Sequence, residues 1–256
     1  MPSRLQPMNR IKKKRLDIVV VEKHLVASRS RARDLIKRGL VRIDGEQAGK
    51  AGLLVDPDAD ISLADDVKDY VSRGGVKLAR ALDVFALDPA GRVALDLGAS
   101  TGGFVEILLA RGARRVYAVD VGHGQLHDQL RSESKVVSLE GCDARTLTKS
   151  EIRDPIDAIT ADLSFVSLTK ALAVPLSFAV AGAWLVALIK PQFEVGRDAI
   201  GKGGVVRDTA AQEKAIAEVK AWFDGRQGWR VLDIISSPIL GQKGNKEFLI
   251  GAVKDL

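Results

Sequence analysis

The sequence has few of the residues that build disulfide frameworks and metal centres. It contains one cysteine, Cys142, and three scattered histidines among 256 residues. A single cysteine cannot form an intramolecular disulfide, which fits a reducing compartment, and no Cys/His spacing resembles a zinc site. We therefore expect no metal site. The first residues are basic but no apolar run follows them, so we expect no secretory signal and a cytoplasmic location.

Long uncharged stretches are also scarce. Residues 171–189 lack charge over a length that could span a bilayer, which takes about 18 residues. Pro175 and Gly182 interrupt this stretch. We therefore interpret it as a buried amphipathic helix before Gly182 and a buried parallel strand over 183–189, and we predict no membrane contact.

Acidic residues are rare at the beginning of the chain. Residues 1–50 hold 14 Lys and Arg against 5 Asp and Glu, a net charge of +9, whereas the whole chain carries +6. Residues 51–256 therefore carry a net charge of −3. A basic segment on a weakly acidic body is typical of a protein that binds a polyanion with one end, although a solubilising tail has the same composition.

The hydrophobic pattern predicts two domains. A basic extension over 1–14 precedes a small α+β domain over 15–63, and residues 64–71 form a linker. Over 72–256, apolar strands alternate with helices, which predicts an α/β domain with a doubly wound, Rossmann-like sheet. The predicted strands cover residues 93–97, 115–121, 136–140, 158–161, 184–189, 229–236 and 248–253.

A cationic helix is predicted in the first domain, over residues 30–38. Arg29, Arg33 and Lys37 recur at four-residue spacing and share one face of this helix. That face is either a binding surface or an ordinary solvated helix surface. The run 28–45 resembles the small RNA-binding domain of a ribosomal protein, pseudouridine synthases and tyrosyl-tRNA synthetases. The resemblance implies that basic side chains contact RNA phosphates: Arg15, Arg29, Arg31, Arg33, Lys37 and Arg38.

A glycine-rich turn follows the first strand of the second domain. Over 93–104 an apolar strand runs through this turn directly into a helix, at the edge where open α/β sheets bind ligands. The GxGxxG pattern of dinucleotide-binding folds is absent, and Asp96 would repel a pyrophosphate. A nicotinamide dehydrogenase is therefore disfavoured.

This turn resembles the first motif of S-adenosylmethionine-dependent methyltransferases. The resemblance implies that Asp96 lies near the cationic methionine portion of S-adenosylmethionine, that Asp120 bonds the ribose, and that Asp143 reaches the adenine. The implied cofactor pocket contains Asp96, Gly98, Ala99, Ser100, Gly102, Gly103, Asp120, Asp143 and Asp162.

Segments around four charged residues, taken with the glycine-rich turn, resemble the TlyA family over essentially the whole chain. These ribosomal RNA 2′-O-methyltransferases were historically labelled haemolysins and share a catalytic fold with FtsJ-like enzymes. The resemblance implies a catalytic tetrad of Lys77, Asp162, Lys190 and Glu247. Lys190 ends a buried strand, where we expect desolvation and a second ammonium to lower its pKa enough for a general base. Without the resemblance, Lys77 is typical of a helix surface, Asp162 of a helix cap and Glu247 of a strand edge.

The resemblance implies 2′-O-methylation of a cytidine in ribosomal RNA or ribosomal subunits. Family members with a longer C-terminal tail tend to modify both subunits, and the last predicted strand ends close to Leu256, which favours the large subunit and leaves the small subunit as an alternative. A membrane-active haemolysin and a non-catalytic RNA-binding factor are the alternatives. We expect the glycine-rich loop 201–207 to touch RNA or to close over the site. The oligomeric state stays open, with a monomer favoured.

Overall fold

The computed structural model describes residues 13–26, 29–37, 39–64, 72–241 and 243–255, without the side chains of Ser30, Arg31 and Arg197. The chain divides into two compact units, residues 1–69 and 70–256. Most of the predicted extension 1–14, most of the predicted linker 64–71, the predicted RNA contact Arg38 and the side chain of Arg31 therefore lie outside the described part of the chain.

The first unit is a small α+β domain. Its elements are β1 (Lys14–Arg15), α1 (Leu16–Glu22), α2 (Arg29–Lys37), β2 (Val41–Ile43), β3 (Glu46–Gln47), β4 (Leu54–Val55) and β5 (Ile61–Leu63). β2 pairs antiparallel with β3 and β5, and β1 pairs antiparallel with β4. Apolar residues of both helices, among them Leu16, Leu35 and Ile36, are fully buried in a core that belongs to this unit.

The second unit is built on a seven-stranded sheet. Its helices are α3 (Gly74–Phe85), α4 (Gly103–Ala110), α5 (Asp128–Arg131), α6 (Leu168–Ala171), α7 (Pro191–Glu194) and α8 (Thr209–Asp224). Its strands are β6 (Val93–Leu97), β7 (Arg115–Asp120), β8 (Val136–Glu140), β9 (Ile156–Ala161), β10 (Ala179–Ile189), β11 (Trp229–Ser236) and β12 (Phe248–Lys254). The strand order is β11-β12-β10-β9-β6-β7-β8, and β12 runs antiparallel to both of its neighbours.

The central strands are buried because apolar clusters cover both faces of the sheet. Every residue of β6 is buried, and one cluster contains Leu95 and Ile159 while the other contains Ala94 and Ala158. Alternate residues of a strand point to opposite faces, so a strand covered on both sides reads as a continuous apolar run. The predicted α/β fold with a doubly wound sheet is confirmed.

The uncharged stretch 171–189 differs from its predicted division. Gly182 lies inside β10 with φ of +76°, where the register with β9 shifts, so the strand begins at Ala179 and is longer than predicted. The predicted helix before Gly182 is wrong: the chain there forms only α6 and a 3-10 turn over Pro175–Phe178. Across the described residues, no helix combines the length and apolar character that crossing a membrane requires.

The strand order reverses at β6, which has β7 on one side and β9 on the other. Open α/β sheets bind ligands in the crevice outside the carboxyl ends of the strands at such a switch point. The carboxyl ends of β6, β7, β9 and β10 are therefore the expected place for a site.

Candidate active site

Four charged side chains from four separate segments meet at the carboxyl edge of the sheet. Asp162 directly follows β9, Lys190 directly follows β10, Lys77 lies on α3 and Glu247 directly precedes β12. These are the four residues of the predicted tetrad. Because β12 runs antiparallel to β10, the amino end of β12 reaches the same edge as the carboxyl ends of the parallel strands.

The four side chains form a chain of alternating charges. Lys190 Nζ lies 2.6 Å from Asp162 Oδ1, and Lys77 Nζ lies 3.9 Å from Asp162 Oδ2 and 2.6 Å from Glu247 Oε2. Lys77, Lys190 and Glu247 are only 7%, 8% and 5% exposed. Charges this buried need partners, and two lysines opposite two carboxylates compensate each other. We refer to this group as the tetrad.

Local sequence explains how two of these side chains reach the edge. Lys77 lies beside Leu78 on the buried face of α3, so it is not the exposed helix-surface lysine of the alternative interpretation. Lys190 has an extended backbone and precedes Pro191, the first residue of α7. Proline disfavours helical geometry in the residue before it and suits the first position of a helix, so the strand stops at Lys190.

Two residues near the tetrad were missed by the sequence prediction. Lys190 Nζ donates a hydrogen bond to Ser164 Oγ at 2.9 Å. Phe165 is 88% exposed and has φ of +66°, a left-handed conformation that is costly for a bulky side chain. Its ring lies 5.2 Å from the ring of Phe193, whose centroid is 5.9 Å from Lys190 Nζ. Ser164 and Phe165 follow β9 in the segment 162–165, which contributes to the family resemblance, but the sequence prediction gave neither residue a role.

The glycine-rich turn packs too closely for side chains at three positions, Gly98, Gly102 and Gly103. Gly98 has φ of +79°, and a Cβ there would lie 2.7 Å from the backbone oxygen of Asp162. Gly102 has φ of +100° and faces the side chains of Leu126 and Leu130. Gly103 begins α4. Glycine at position 98 brings the turn against the backbone of Asp162.

Asp96 is buried at the end of β6 with one carboxylate oxygen unpaired. Thr160 Oγ1 donates to Asp96 Oδ1 at 2.6 Å, whereas Oδ2 is buried with no hydrogen-bond partner in the described structure. Burial above all, with the charges of Asp162 and Asp120, raises the pKa of Asp96 to about 7, against the opposing effect of the Thr160 hydrogen bond. An orphaned buried carboxylate oxygen beside a glycine turn suits a cationic ligand group.

Asp120 shapes the loops around the turn. Its Oδ2 accepts a hydrogen bond from the Ser100 backbone N–H at 2.8 Å, and its Oδ1 accepts one from the Gly122 N–H at 2.7 Å. The backbone N–H of Ala99 bonds to the carbonyl of Val119. Each oxygen of Asp120 keeps a further lone pair, which leaves it able to accept from a ligand hydroxyl.

Asp143 is already engaged within the protein. It caps the 3-10 turn Ala144–Thr146, and both carboxylate oxygens bond to the Arg145 guanidinium, which lowers the pKa of Asp143. A ligand amine at Asp143 would have to share its oxygens with Arg145. The other residues of the predicted pocket lie on the turn or beside it, whereas Asp143 lies after β8.

The loop 201–207 is tied to the segment that carries Glu247. Asn245 is 2% exposed, accepts a hydrogen bond from the Val206 N–H and donates one to the carbonyl of Gly204. Gln212 donates to the carbonyl of Val206. Asn245 therefore does more than supply turn geometry, because it links this loop to the tetrad segment two residues away.

In the first unit, the predicted RNA contacts that are described lie on the surface. Arg15, Arg29 and Arg33 have side chains 45%, 49% and 54% exposed, and all three bond to Asp17. Lys37 is exposed. The stripe of Arg29, Arg33 and Lys37 is therefore on the surface, and its two arginines share the carboxylate of Asp17, which the sequence pattern did not reveal.

Comparisons with known proteins match both units. The family model described as FtsJ-like methyltransferase covers residues 70–254, and that of the S4 domain covers residues 14–61. The 16S/23S rRNA (cytidine-2′-O)-methyltransferase TlyA of Mycobacterium tuberculosis is 44% identical over 92% of this chain and 88% of its own length. The 23S rRNA (cytidine-2′-O)-methyltransferase TlyA of Campylobacter jejuni is 35% identical over 92% of this chain and 98% of its own.

A solved structure agrees with these relatives. A Streptococcus thermophilus protein described as a hemolysin is 38% identical and covers 96% of this chain and 90% of its own, with a TM-score of 0.73. The similarity thus extends over both units, and the resemblance identified from the tetrad and the glycine-rich turn is confirmed. This chain belongs to the TlyA family of FtsJ-like methyltransferases.

Proposed function

We propose that this chain transfers a methyl group from S-adenosylmethionine to the ribose 2′-oxygen of a cytidine in ribosomal RNA. The observation that carries the proposal is the buried tetrad at the carboxyl edge of the sheet, next to the glycine-rich turn. The C. jejuni relative is named for 23S rRNA and the M. tuberculosis relative for both 16S and 23S rRNA, which supports the large subunit as the favoured substrate and keeps the small subunit as a second one. Such a substrate places the enzyme with ribosomes, in the cytoplasm.

The residues around the turn fit the cofactor. Bound S-adenosylmethionine supplies an electrophilic methyl on a sulfonium, and its amino group adds a second positive charge. The unpaired Oδ2 of Asp96 offers a buried negative partner for such a cation, and the remaining lone pairs of Asp120 suit ribose hydroxyls. Gly98, Ala99, Ser100, Gly102 and Gly103 provide the backbone surface. We propose that Asp143 contacts the adenine only by sharing its carboxylate with Arg145.

Lys190 is the proposed proton acceptor. A neutral ribose hydroxyl is a weak nucleophile, so a base must take its proton as the oxygen forms its new bond to carbon. Asp162 and Ser164 hold Lys190 Nζ in place. In this proposal the Lys190 ammonium first gives up a proton to solvent, and the neutral amine then accepts the hydroxyl proton. Lys77, held by Glu247, positions the hydroxyl or its neighbouring phosphate.

Phe165 is the proposed support for the target base. The exposed ring of Phe165 packs on Phe193, which lies next to the Lys190 amine, and it offers a nucleobase a face to stack on. The target nucleotide must leave its helical stack for its 2′-oxygen to reach the buried Lys190, so its unstacked nucleobase needs such a surface. The left-handed backbone at Phe165 fits a functional constraint, because strained residues cluster at ligand-contacting sites.

The two alternative functions differ from this proposal in what the tetrad does. A haemolysin would need a membrane-inserting surface, and the candidate stretch 171–189 forms buried β10 and the short elements before it. A non-catalytic RNA-binding factor would have no need for a buried, charge-paired tetrad. The haemolysin alternative predicts that Lys190→Ala leaves haemolysis unchanged, and the RNA-binding alternative predicts that it leaves RNA binding unchanged.

Methyl transfer from labelled S-adenosylmethionine to purified large ribosomal subunits tests the proposal. We expect Lys190→Ala to abolish transfer and to retain most of the cofactor affinity in calorimetry. Lys170→Ala, an exposed lysine on α6, is the matched control and should behave as wild type. Transfer that survives in Lys190→Ala, or no heat of binding for adenosylhomocysteine with wild type, would contradict the proposal.

A further inference from the structure

In the first unit, three arginines from two segments converge on one buried carboxylate. Arg15 Nε donates to Asp17 Oδ1 at 2.9 Å, whereas Arg29 Nη2 and Arg33 Nε donate to Asp17 Oδ2 at 3.0 and 2.8 Å. Asp17 is fully buried, and the three arginine side chains stay about half exposed. We call these four residues the arginine cluster.

Backbone contacts hold Asp17 in place independently of the arginines. Asp17 lies in the first turn of α1, between the buried residues Leu16 and Val19, and its backbone N–H bonds to the carbonyl of Ala51. The arginine hydrogen bonds outweigh the burial and hold the pKa of Asp17 well below its usual range. The carboxylate is therefore a rigid, charged acceptor around which the guanidinium groups are arranged.

The arrangement orients positive charge toward the surface. Three arginines and one aspartate leave the arginine cluster with a net charge of +2. A guanidinium carries five N–H donors, and the contacts with Asp17 use one or two from each arginine. Arginine forks match phosphate oxygens in geometry, and a side chain that is already ordered loses less entropy on binding.

We propose that Asp17 is a positioning residue for RNA binding, which holds Arg15, Arg29 and Arg33 as a preformed phosphate-binding surface. This inference rests on the proposed function, because the phosphates are those of the ribosomal RNA substrate. It goes beyond the basic stripe predicted from sequence, in that it assigns a role in RNA binding to a buried acid.

Charge and geometry make opposite predictions for Asp17. If only net charge matters, removing its negative charge strengthens the attraction to RNA. If the carboxylate sets the geometry of the arginines, removing that charge weakens binding, because the guanidinium groups lose their common acceptor. The sign of the effect therefore separates the two explanations.

The test measures binding of the full chain to purified large ribosomal subunits over a range of salt concentrations. We expect Asp17→Asn to bind about tenfold more weakly and to show a salt slope shallower by about one. Asp58→Asn removes the same charge at an exposed site in the same unit, and it should bind as wild type or slightly tighter. In methylation assays, Asp17→Asn should raise KM for subunits and leave kcat unchanged, which a general loss of structure would not do.

A second variant keeps the inference testable if Asp17→Asn fails to fold. Arg33→Lys preserves the charge on an exposed residue but loses the planar fork, so we expect several-fold weaker binding. The inference is overturned if Asp17→Asn binds as tightly as Asp58→Asn, or if Arg33→Lys binds as tightly as wild type. If wild type itself does not bind or methylate subunits, the proposed function fails first.

Discussion

At the scale of single residues, burial gives Asp96 an unusual dependence on pH. Its folded pKa of about 7 lies above the unfolded value, so the folded protein keeps a proton that the unfolded chain has released. The free energy of unfolding therefore falls as pH rises from about 4 to about 7, and the loss is complete above that range. A cationic ligand group that pairs with the Asp96 carboxylate offsets this loss of unfolding free energy.

We predict that Asp96→Asn removes this pH dependence. Without added cofactor, wild type should lose a few kcal/mol of unfolding free energy between pH 5 and pH 8 that Asp96→Asn does not lose, because asparagine has no charge to bury. Urea unfolding at the two pH values measures the difference. Equal losses in both proteins would show that Asp96 ionises freely in the fold.

Phe165 gives a second prediction at this scale. Replacing Phe165 with alanine removes the proposed stacking surface, and stacking on an aromatic ring is worth about 1–3 kcal/mol per base. We therefore expect kcat/KM for ribosomal subunits to fall about 5- to 150-fold, with cofactor affinity unchanged. A normal kcat/KM in Phe165→Ala would contradict the stacking role.

At the scale of elements, the loop 201–207 and the segment before β12 act together. Asn245 bonds to the loop at Val206 and Gly204, and Glu247 follows two residues later. The rigid sheet thus supports one end of the tetrad, while Asn245 connects that end to a glycine-rich loop. We expect a disturbance of the loop to reach the tetrad through this connection.

We predict that Asn245→Ala lowers stability by about 2 kcal/mol, because it leaves the buried N–H of Val206 without a partner. Methyl transfer to subunits should fall together with stability. Cofactor affinity should change little, because the glycine-rich turn follows β6 whereas Asn245 precedes β12. Thermal unfolding, calorimetry and methyl transfer measure the three quantities. If cofactor affinity falls most, the loop belongs to the cofactor pocket instead.

Elements with strong local patterns were predictable from the sequence, and those set by tertiary contacts were not. Val93–Leu97 matches its predicted bounds because a mostly apolar run specifies a buried strand. Trp229–Ser236 also matches its predicted bounds, although this strand is mostly exposed or half-buried and contains Arg230 and Asp233. The predicted helix before Gly182 was wrong because a glycine with positive φ forms an irregularity inside β10 instead of ending it.

The site shows the same division. Lys77 and Glu247 are 170 residues apart in sequence, and only the family resemblance brought them into one prediction. The contacts of Ser164, Asn245 and Asp17 depend on how separate segments pack, so no local pattern could indicate them. Asp143 and Arg145 are close in sequence, but their two-residue spacing does not predict that both carboxylate oxygens bond to the guanidinium.

At the scale of the whole molecule, charge is divided between the two units of the chain. The net charge of +9 in residues 1–50 favours an RNA partner, whereas the tetrad itself is charge-balanced. RNA binding and cofactor binding should therefore respond differently to salt, because only the first releases counterions from phosphates.

We predict that affinity for large ribosomal subunits falls about 10- to 50-fold between 50 and 200 mM salt, as expected for two or three phosphate contacts. Cofactor affinity should change little over the same range. Subunit binding and calorimetry at matched salt concentrations give both values. Salt-independent binding to subunits would contradict a phosphate-contacting role for the first unit.

Mapping the methylated atom in ribosomal RNA tests the central claim most directly. After reaction with S-adenosylmethionine, large subunits should contain a cytidine whose 3′ linkage resists alkaline hydrolysis, because a methylated 2′-oxygen cannot attack the phosphate. That nucleotide should be absent after reaction with Lys190→Ala. A methyl group on a base, or the same 2′-O-methyl cytidine formed by Lys190→Ala, would contradict the account.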